Sequence, residues 1–293
     1  MSAAAETPVM RGRTAEVAPG RSLRYVSAGP AASSRPLVLL EAGSFGFSGD
    51  WAAVQERLTA AGLRSLAYDR AGLGYSDPGA APRDSNAIVS DLEALLTAID
   101  EPGPYLVVGH SMAGLHVRLF AGRNAGKVAG VVLVDAVTPE MMDHPLGAMF
   151  VSQFTALSHL AAWGASIGLQ RPLADTFGDG IGLPMLAKAE KQVAFASPVH
   201  NHWAAAEVDA WHDDCAEARA AGPFDPAWPL AVILTGDGRK PQARDPLQTA
   251  PADAAGQGFV IHVPGANHAS LLGERFGGHI VQAILAVEAA AKA

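Results

Sequence analysis

At 293 residues, 49% of them hydrophobic and only 17% charged, the chain holds enough apolar material for a large core and is too apolar for disorder. A net charge of −8 with no run of clustered Lys and Arg argues against a nucleic-acid partner, which needs a basic surface. The single cysteine, Cys215, excludes an internal disulfide, no apolar stretch is long enough to cross a membrane, and the first 25 residues lack the apolar centre of a signal peptide. The expected setting is the cytoplasm, with no membrane contact.

Residues 1–20 read as a loose N-terminal tail, and "LRYVSAG" (23–29) alternates as an edge strand does. "RPLVLLEAG" (35–43) is a continuous apolar run stopped by glycine, the pattern of a strand buried on both faces. Trp51, Val54, Leu58 and Ala61 fall at helical spacing before the next such run, "LRSLAYD" (63–69). Ile88, Leu92, Leu95, Leu96 and Ile99 then form one helical stripe, with Asp84 or Ser85 as its cap. "YLVVG" and "VAGVVLVDA" are two more buried-strand runs, flanking a helix that starts at Ser111.

From Pro139 to about Pro229 no strand-like run occurs, only helix-compatible segments rich in Ala, Met, Phe and Trp. "PLAVILTGDG" (229–238) and "GFVIHVPG" (258–265) resume the strands, and Phe276, Ile280, Ile284 and Val287 mark a closing helix. The expected fold is α/β: a mostly parallel open sheet flanked by helices, with a core of 21–138 and 227–293 and a helical lid, 139–226, inserted between two strands.

Gly109-His110-Ser111-Met112-Ala113-Gly114 lies where an apolar strand turns into a helix. A sharp turn there strains the serine backbone and presents its hydroxyl above a helix N-terminus, while small neighbours let other chain segments approach. With "YDRAGLGYSDPG" (68–79) and "GPYLVVGHSMAG", the chain resembles the α/β-hydrolase superfamily over nearly its whole length. The resemblance implies Ser111 as nucleophile. A serine there favours an acyl-enzyme, whereas relatives that open epoxides or remove halides carry aspartate at this elbow.

The same resemblance implies the other roles. Met112 N–H would be one oxyanion donor. Relatives read His-Gly-X after the early strand; here Glu41-Ala42-Gly43-Ser44-Phe45-Gly46 puts Ser44 at X, with Phe45 as a less favoured donor. His268, in "VPGANHASLLGE", takes the place of the catalytic base, while Asp69, Arg70 and Ser76 support a loop. The acid is either Asp135, ending "VVLVD", or Asp237, with Asp135 preferred; the usual position after the later strand is occupied by Arg239. The true acid is expected within about 3.2 Å of a His268 ring nitrogen.

His116 and His262 read as packed residues and His110 as lining the elbow, and "HNHW" (200–203) and "WHDDC" (211–215) lack zinc spacing, so neither a metal nor an organic cofactor is expected. Phe45, Phe150, Phe154 and Trp163 are candidates for an apolar substrate pocket. The implied activity is hydrolysis of a small-molecule carboxylic ester or lactone with an apolar part. Rivals are cofactor-free perhydrolysis or hydroxynitrile cleavage on the same triad, and a non-catalytic ligand-binding member of the fold.

Overall fold

The computed structural model describes residues 11–31, 33–144, 146–239 and 245–292. Eight strands form one sheet: β1 (Arg13–Ala18), β2 (Arg21–Ala28), β3 (Leu37–Glu41), β4 (Ser65–Tyr68), β5 (Tyr105–His110), β6 (Val128–Val134), β7 (Leu230–Thr235) and β8 (Gly258–Val263). Their spatial order is β1-β2-β4-β3-β5-β6-β7-β8, antiparallel from β1 to β4 and parallel from β4 onward.

Period-2 alternation sorts the central strands onto two helical layers. Val38, Leu40, Leu106, Val108, Val132 and Val134 share a core with α1 (Ala52–Ala60) and α10 (Gly277–Ala290). Leu37, Leu39, Tyr105, Val107, Val131 and Leu133 face the other way, onto α2 (Ser85–Ala98) and α3 (Ala113–Arg123). The Asp84 carboxylate accepts the Ala87 N–H and caps α2.

Between β6 and β7 lie only helices among the described residues: α4 (Gly147–Ser166), α5 (Ala174–Phe177), α6 (Met185–Ala196), α7 (Pro198–Asp209), α8 (Trp211–Ala220) and short 3₁₀ turns. No described helix is long and apolar enough to cross a membrane.

Two expectations change. Part of the supposed tail is β1, whose Ala15 and Val17 pack on the sheet core; this makes β2 an interior strand rather than an edge. Residues 1–10 lie outside the described residues. A helix α9 (Asp245–Ala254) also follows β7, in a stretch where Pro251 hides the helical pattern.

The chain reverses direction across the sheet at β3. It moves outward to β4 and then returns to lay β5 on the other side of β3. Such a switch point opens a crevice beyond the strand C-termini, where α/β sites form. Register sets Glu41 opposite Gly109, so the segments leaving β3 and β5 emerge side by side.

Candidate active site

Ser111 sits between the end of β5 and the start of α3 with φ +58°, a left-handed conformation that costs a non-glycine residue about 1–3 kcal/mol. The surroundings hold it there. Its N–H donates to the Val134 carbonyl at 3.2 Å, and its own carbonyl accepts from Val137 at 2.8 Å and Gly114 at 3.1 Å. A side chain at Gly109 would meet Val117 at 2.7 Å, and one at Gly114 would meet the Val137 carbonyl at 2.3 Å. The glycines are therefore steric requirements of the turn. Gly43 approaches the same serine from the β3 side, since its missing Cβ would lie 2.7 Å from that of Ser111. The Ser111 residue is half-buried at this turn.

Asp135, at the end of the neighbouring β6, is also left-handed, with φ +43°. Its N–H donates to Ile233 at 2.7 Å, which anchors it to β7. The carboxylate is buried, and Oδ2 lies 2.6 Å from His268 Nδ1, a separation that fits Nδ1–H donating to a carboxylate. Gln248 of α9 donates to Oδ1 at 3.3 Å and to the Ala136 carbonyl at 3.0 Å. The His268 side chain itself is 48% exposed, so its other ring edge remains accessible.

Asp237 is placed elsewhere. It is exposed and accepts the Arg239 N–H at 3.0 Å. His110, next to the serine, meets His268: its Nε2–H donates to the His268 carbonyl at 3.0 Å, and the two rings lie 4.5 Å apart. Burial, then the neighbouring His268, pushes its pKa down to about 3, so it is a neutral donor.

The segment after β3 is braced from beneath by buried charge. Arg70 donates to the carbonyls of Ala42 at 2.5 Å and Gly43 at 2.9 Å, and pairs with Glu41 at 2.7 Å and with Glu207 of α7 at 2.8 Å. Burial opposes its charge, but the two carboxylates outweigh that cost and hold the guanidinium protonated. Asp69 accepts from Ser48 N–H and Tyr75 N–H, each at 2.9 Å, and Ser76 Oγ donates to the Asp69 carbonyl at 2.6 Å. All three residues thus tie loops together.

An apolar cavity of about 300 Å³ opens beside Val137, lined by Met142, Leu146, Phe150, Val151 and Trp211. Phe154 stacks on Phe150 at 6.0 Å and meets Trp211 at 5.8 Å and Phe45 at 6.4 Å, both edge to face. Trp163 is not among the residues that line the cavity. Nine residues beyond Phe154 at about 100° per residue turn it to the opposite side of α4. The stretches 200–203 and 211–215, which lack zinc spacing, make hydrogen bonds within the protein. His200 Nδ1 accepts the Gly74 N–H, and the Asp214 carboxylate accepts from Ser85.

The fold thus sets Ser111, at the end of β5, on the same sheet edge as Asp135, at the end of β6; His268 joins Asp135 directly and reaches the serine's side through His110, and Val137, bonded to the Ser111 carbonyl, lines the apolar cavity. The alpha/beta hydrolase fold family model matches residues 36–211, and the chain belongs to that family. A non-heme chloroperoxidase of Streptomyces lividans is 39% identical over 82 residues, 28% of this chain and 29% of that protein. An uncharacterized protein of Schizosaccharomyces pombe is 30% identical over 114 residues, 39% of this chain and 21% of that protein. The chain thus spans less than a third of the length of these curated relatives.

Solved structures show the fold over nearly the whole chain. The enol-lactonase from Burkholderia xenovorans LB400 matches with a TM-score of 0.64 at 20% identity, covering 92% of this chain and 99% of that one. For a thermophilic esterase from Thermogutta terrifontis the values are 0.67, 20%, 95% and 100%. A putative epoxide hydrolase from Pseudomonas aeruginosa gives 0.71, 19%, 96% and 97%.

Proposed function

We propose that the chain is a serine hydrolase that cleaves a carboxylic ester or lactone with an apolar part through an acyl-enzyme. The observation that carries this reading is the left-handed Ser111 at the strand–helix turn, on the same sheet edge as a His268–Asp135 pair only 2.6 Å apart. Ser111 Oγ attacks the carbonyl carbon as His268 Nε2 takes its proton. The carbonyl electron pair moves to oxygen, and Asp135 stabilises the imidazolium. The intermediate collapses, the alkoxide leaves with the proton from His268, and water repeats the sequence to release the acid and Ser111.

Two backbone donors face the developing oxyanion in this reading. Met112 caps α3, where N–H groups lack intrahelical partners, and Ser44 follows Gly43 against the serine. Residues 139–226 serve as the lid over a core of 21–138 and 227–293, and the Phe150–Trp211 cavity takes the apolar part of the substrate. Serine at the elbow disfavours the alkyl-enzyme chemistry of epoxide opening.

A panel of p-nitrophenyl esters and lactones of graded length tests the proposal. Turnover that disappears in folded Ser111→Ala supports it, and turnover that survives the substitution overturns it. A second reading, hydrogen peroxide replacing water as the acceptor of the acyl group, is favoured by the likeness to a protein named a non-heme chloroperoxidase. Peracid formed from a carboxylic ester and hydrogen peroxide identifies it.

A further inference from the structure

The segment that carries Ser44 is held by side chains from far along the chain. The Phe45 carbonyl accepts from Lys191 Nζ at 3.0 Å and from His200 Nε2 at 3.2 Å. Lys191 lies on α6 and His200 on α7. Lys191 also pairs with Asp50 at 2.8 Å and sits 5.3 Å from the centre of the Phe47 ring. The Gly74 N–H donates to His200 Nδ1 at 2.9 Å, which leaves the proton on Nε2. Burial, reinforced by Lys191, pushes the His200 pKa to about 3, so it remains a neutral donor.

These contacts act where the backbone is strained. Phe45 has φ +58°, which an aromatic residue does not adopt without support. Two residues earlier, the Gly43 carbonyl accepts from Arg70 Nη2 and from the Gly46 N–H, both at 2.9 Å. In a trans peptide the N–H points opposite to the carbonyl, so pinning Gly43 oxygen to Arg70 aims the Ser44 N–H the other way. Arg70 is itself paired with Glu207 on α7. Three carbonyls between Ala42 and Phe45 are thus held by side-chain donors that α6 and α7 supply or brace.

We propose that α6 and α7 are part of the oxyanion apparatus: Lys191 and His200 are positioning residues that lock the Phe45 turn, so Ser44 N–H is aligned only while these helices are seated. The inference rests on the reading of Ser44 as an oxyanion donor. It gives the lid a role beyond shaping the pocket. A substrate too bulky for α6 and α7 to remain seated loses transition-state stabilisation as well as fit, which makes selection by size a matter of turnover.

The test uses Lys191→Met, together with Asp50→Asn/Lys191→Met so that no buried carboxylate is left without its cation, and Lys191→Arg as the conservative replacement. Two readouts are taken: steady-state kinetics on p-nitrophenyl butyrate, and amide hydrogen exchange across 43–47. The expected result is a kcat lower by about 10–100-fold with KM within about twofold of the parent, and an unchanged pH dependence. Exchange at Ser44–Gly46 rises, and Lys191→Arg recovers most of both. A folded double variant with parental kcat and parental exchange overturns the proposal. If the parent hydrolyses no ester, the hydrolase reading fails, and exchange alone decides the clamp: faster exchange supports it, and unchanged exchange refutes it.

Discussion

Replacing Asp135 with Asn changes one atom of the buried carboxylate and leaves the backbone undisturbed, because Asn tolerates the left-handed φ of +43° found there. The side-chain orientation follows from its neighbours. Gln248 Nε2 already donates to Oδ1 at 3.3 Å, so the new carbonyl oxygen stays on that side and the new amide nitrogen faces His268 Nδ1. An amide N–H at 2.6–3 Å from Nδ1 makes that nitrogen an acceptor and moves the ring proton to Nε2. Nε2 can then no longer take the Ser111 proton, and no carboxylate stabilises the imidazolium.

The expected loss in kcat is on the order of 10⁴, or about 5 kcal/mol of barrier. It should be measured on p-nitrophenyl butyrate from pH 6 to 10, with Asp237→Asn as the comparison. Residual activity of Asp135→Asn should climb toward high pH, where hydroxide replaces the general base. Asp237→Asn should stay within about threefold of the parent, since its exposed carboxylate caps the Arg239 N–H and, among the described residues, does not meet His268. The reasoning is refuted if Asp135→Asn keeps more than a tenth of parental turnover, or if Asp237→Asn is the crippled variant.

Phe150→Ala removes a wall of the apolar cavity at a residue that is 55% exposed, so stability should change little while preference shifts among longer acyl chains; equal losses at every chain length would contradict the cavity assignment. Trp163→Ala, on the opposite side of α4, should leave the chain-length profile unaltered in the same assay. The Arg35 guanidinium, aided by Lys292, holds the Glu288 carboxyl at about 2 rather than 4.5, so its stabilisation is full above pH 4.5 and fades as pH falls toward 2. Glu288→Gln should therefore cost roughly 1–2 kcal/mol at pH 7, after allowance for solvent at the partly exposed Arg35, and almost nothing near pH 2; denaturant melts whose difference does not shrink with pH would remove the pairing as the cause.

The central sheet was legible because strands buried on both faces write themselves as continuous apolar runs, as in "LVLLE" and "VVLVD". Ser111 was legible for a local reason, since Gly109 and Gly114 leave room at fixed offsets for Val117 and the Val137 carbonyl. Asp135 and Asp237 could only be ranked from sequence. Their separation in space follows from the anchoring of Asp135 to β7 and from where the loop after β8 delivers His268, neither of which has a local pattern. Arg70 was legible as a loop support, but what the braces around residues 42–46 join was not, for the same reason: Arg70 meets Glu207 across 137 positions and Lys191 meets Phe45 across 146. β1 was missed because its polar residues resemble a tail until Ala15 and Val17 find the core.

The central claim is that Ser111 forms a covalent acyl intermediate. The most direct test is intact-protein mass after acid quench of the protein mixed with excess p-nitrophenyl butyrate, followed by peptide mapping. The account predicts one butyryl group per chain, carried on Ser111, absent from Ser111→Ala and accumulating in His268→Ala only at high pH. A parent that turns the ester over while carrying no acyl group under single-turnover sampling, or carrying it on another residue, would contradict it.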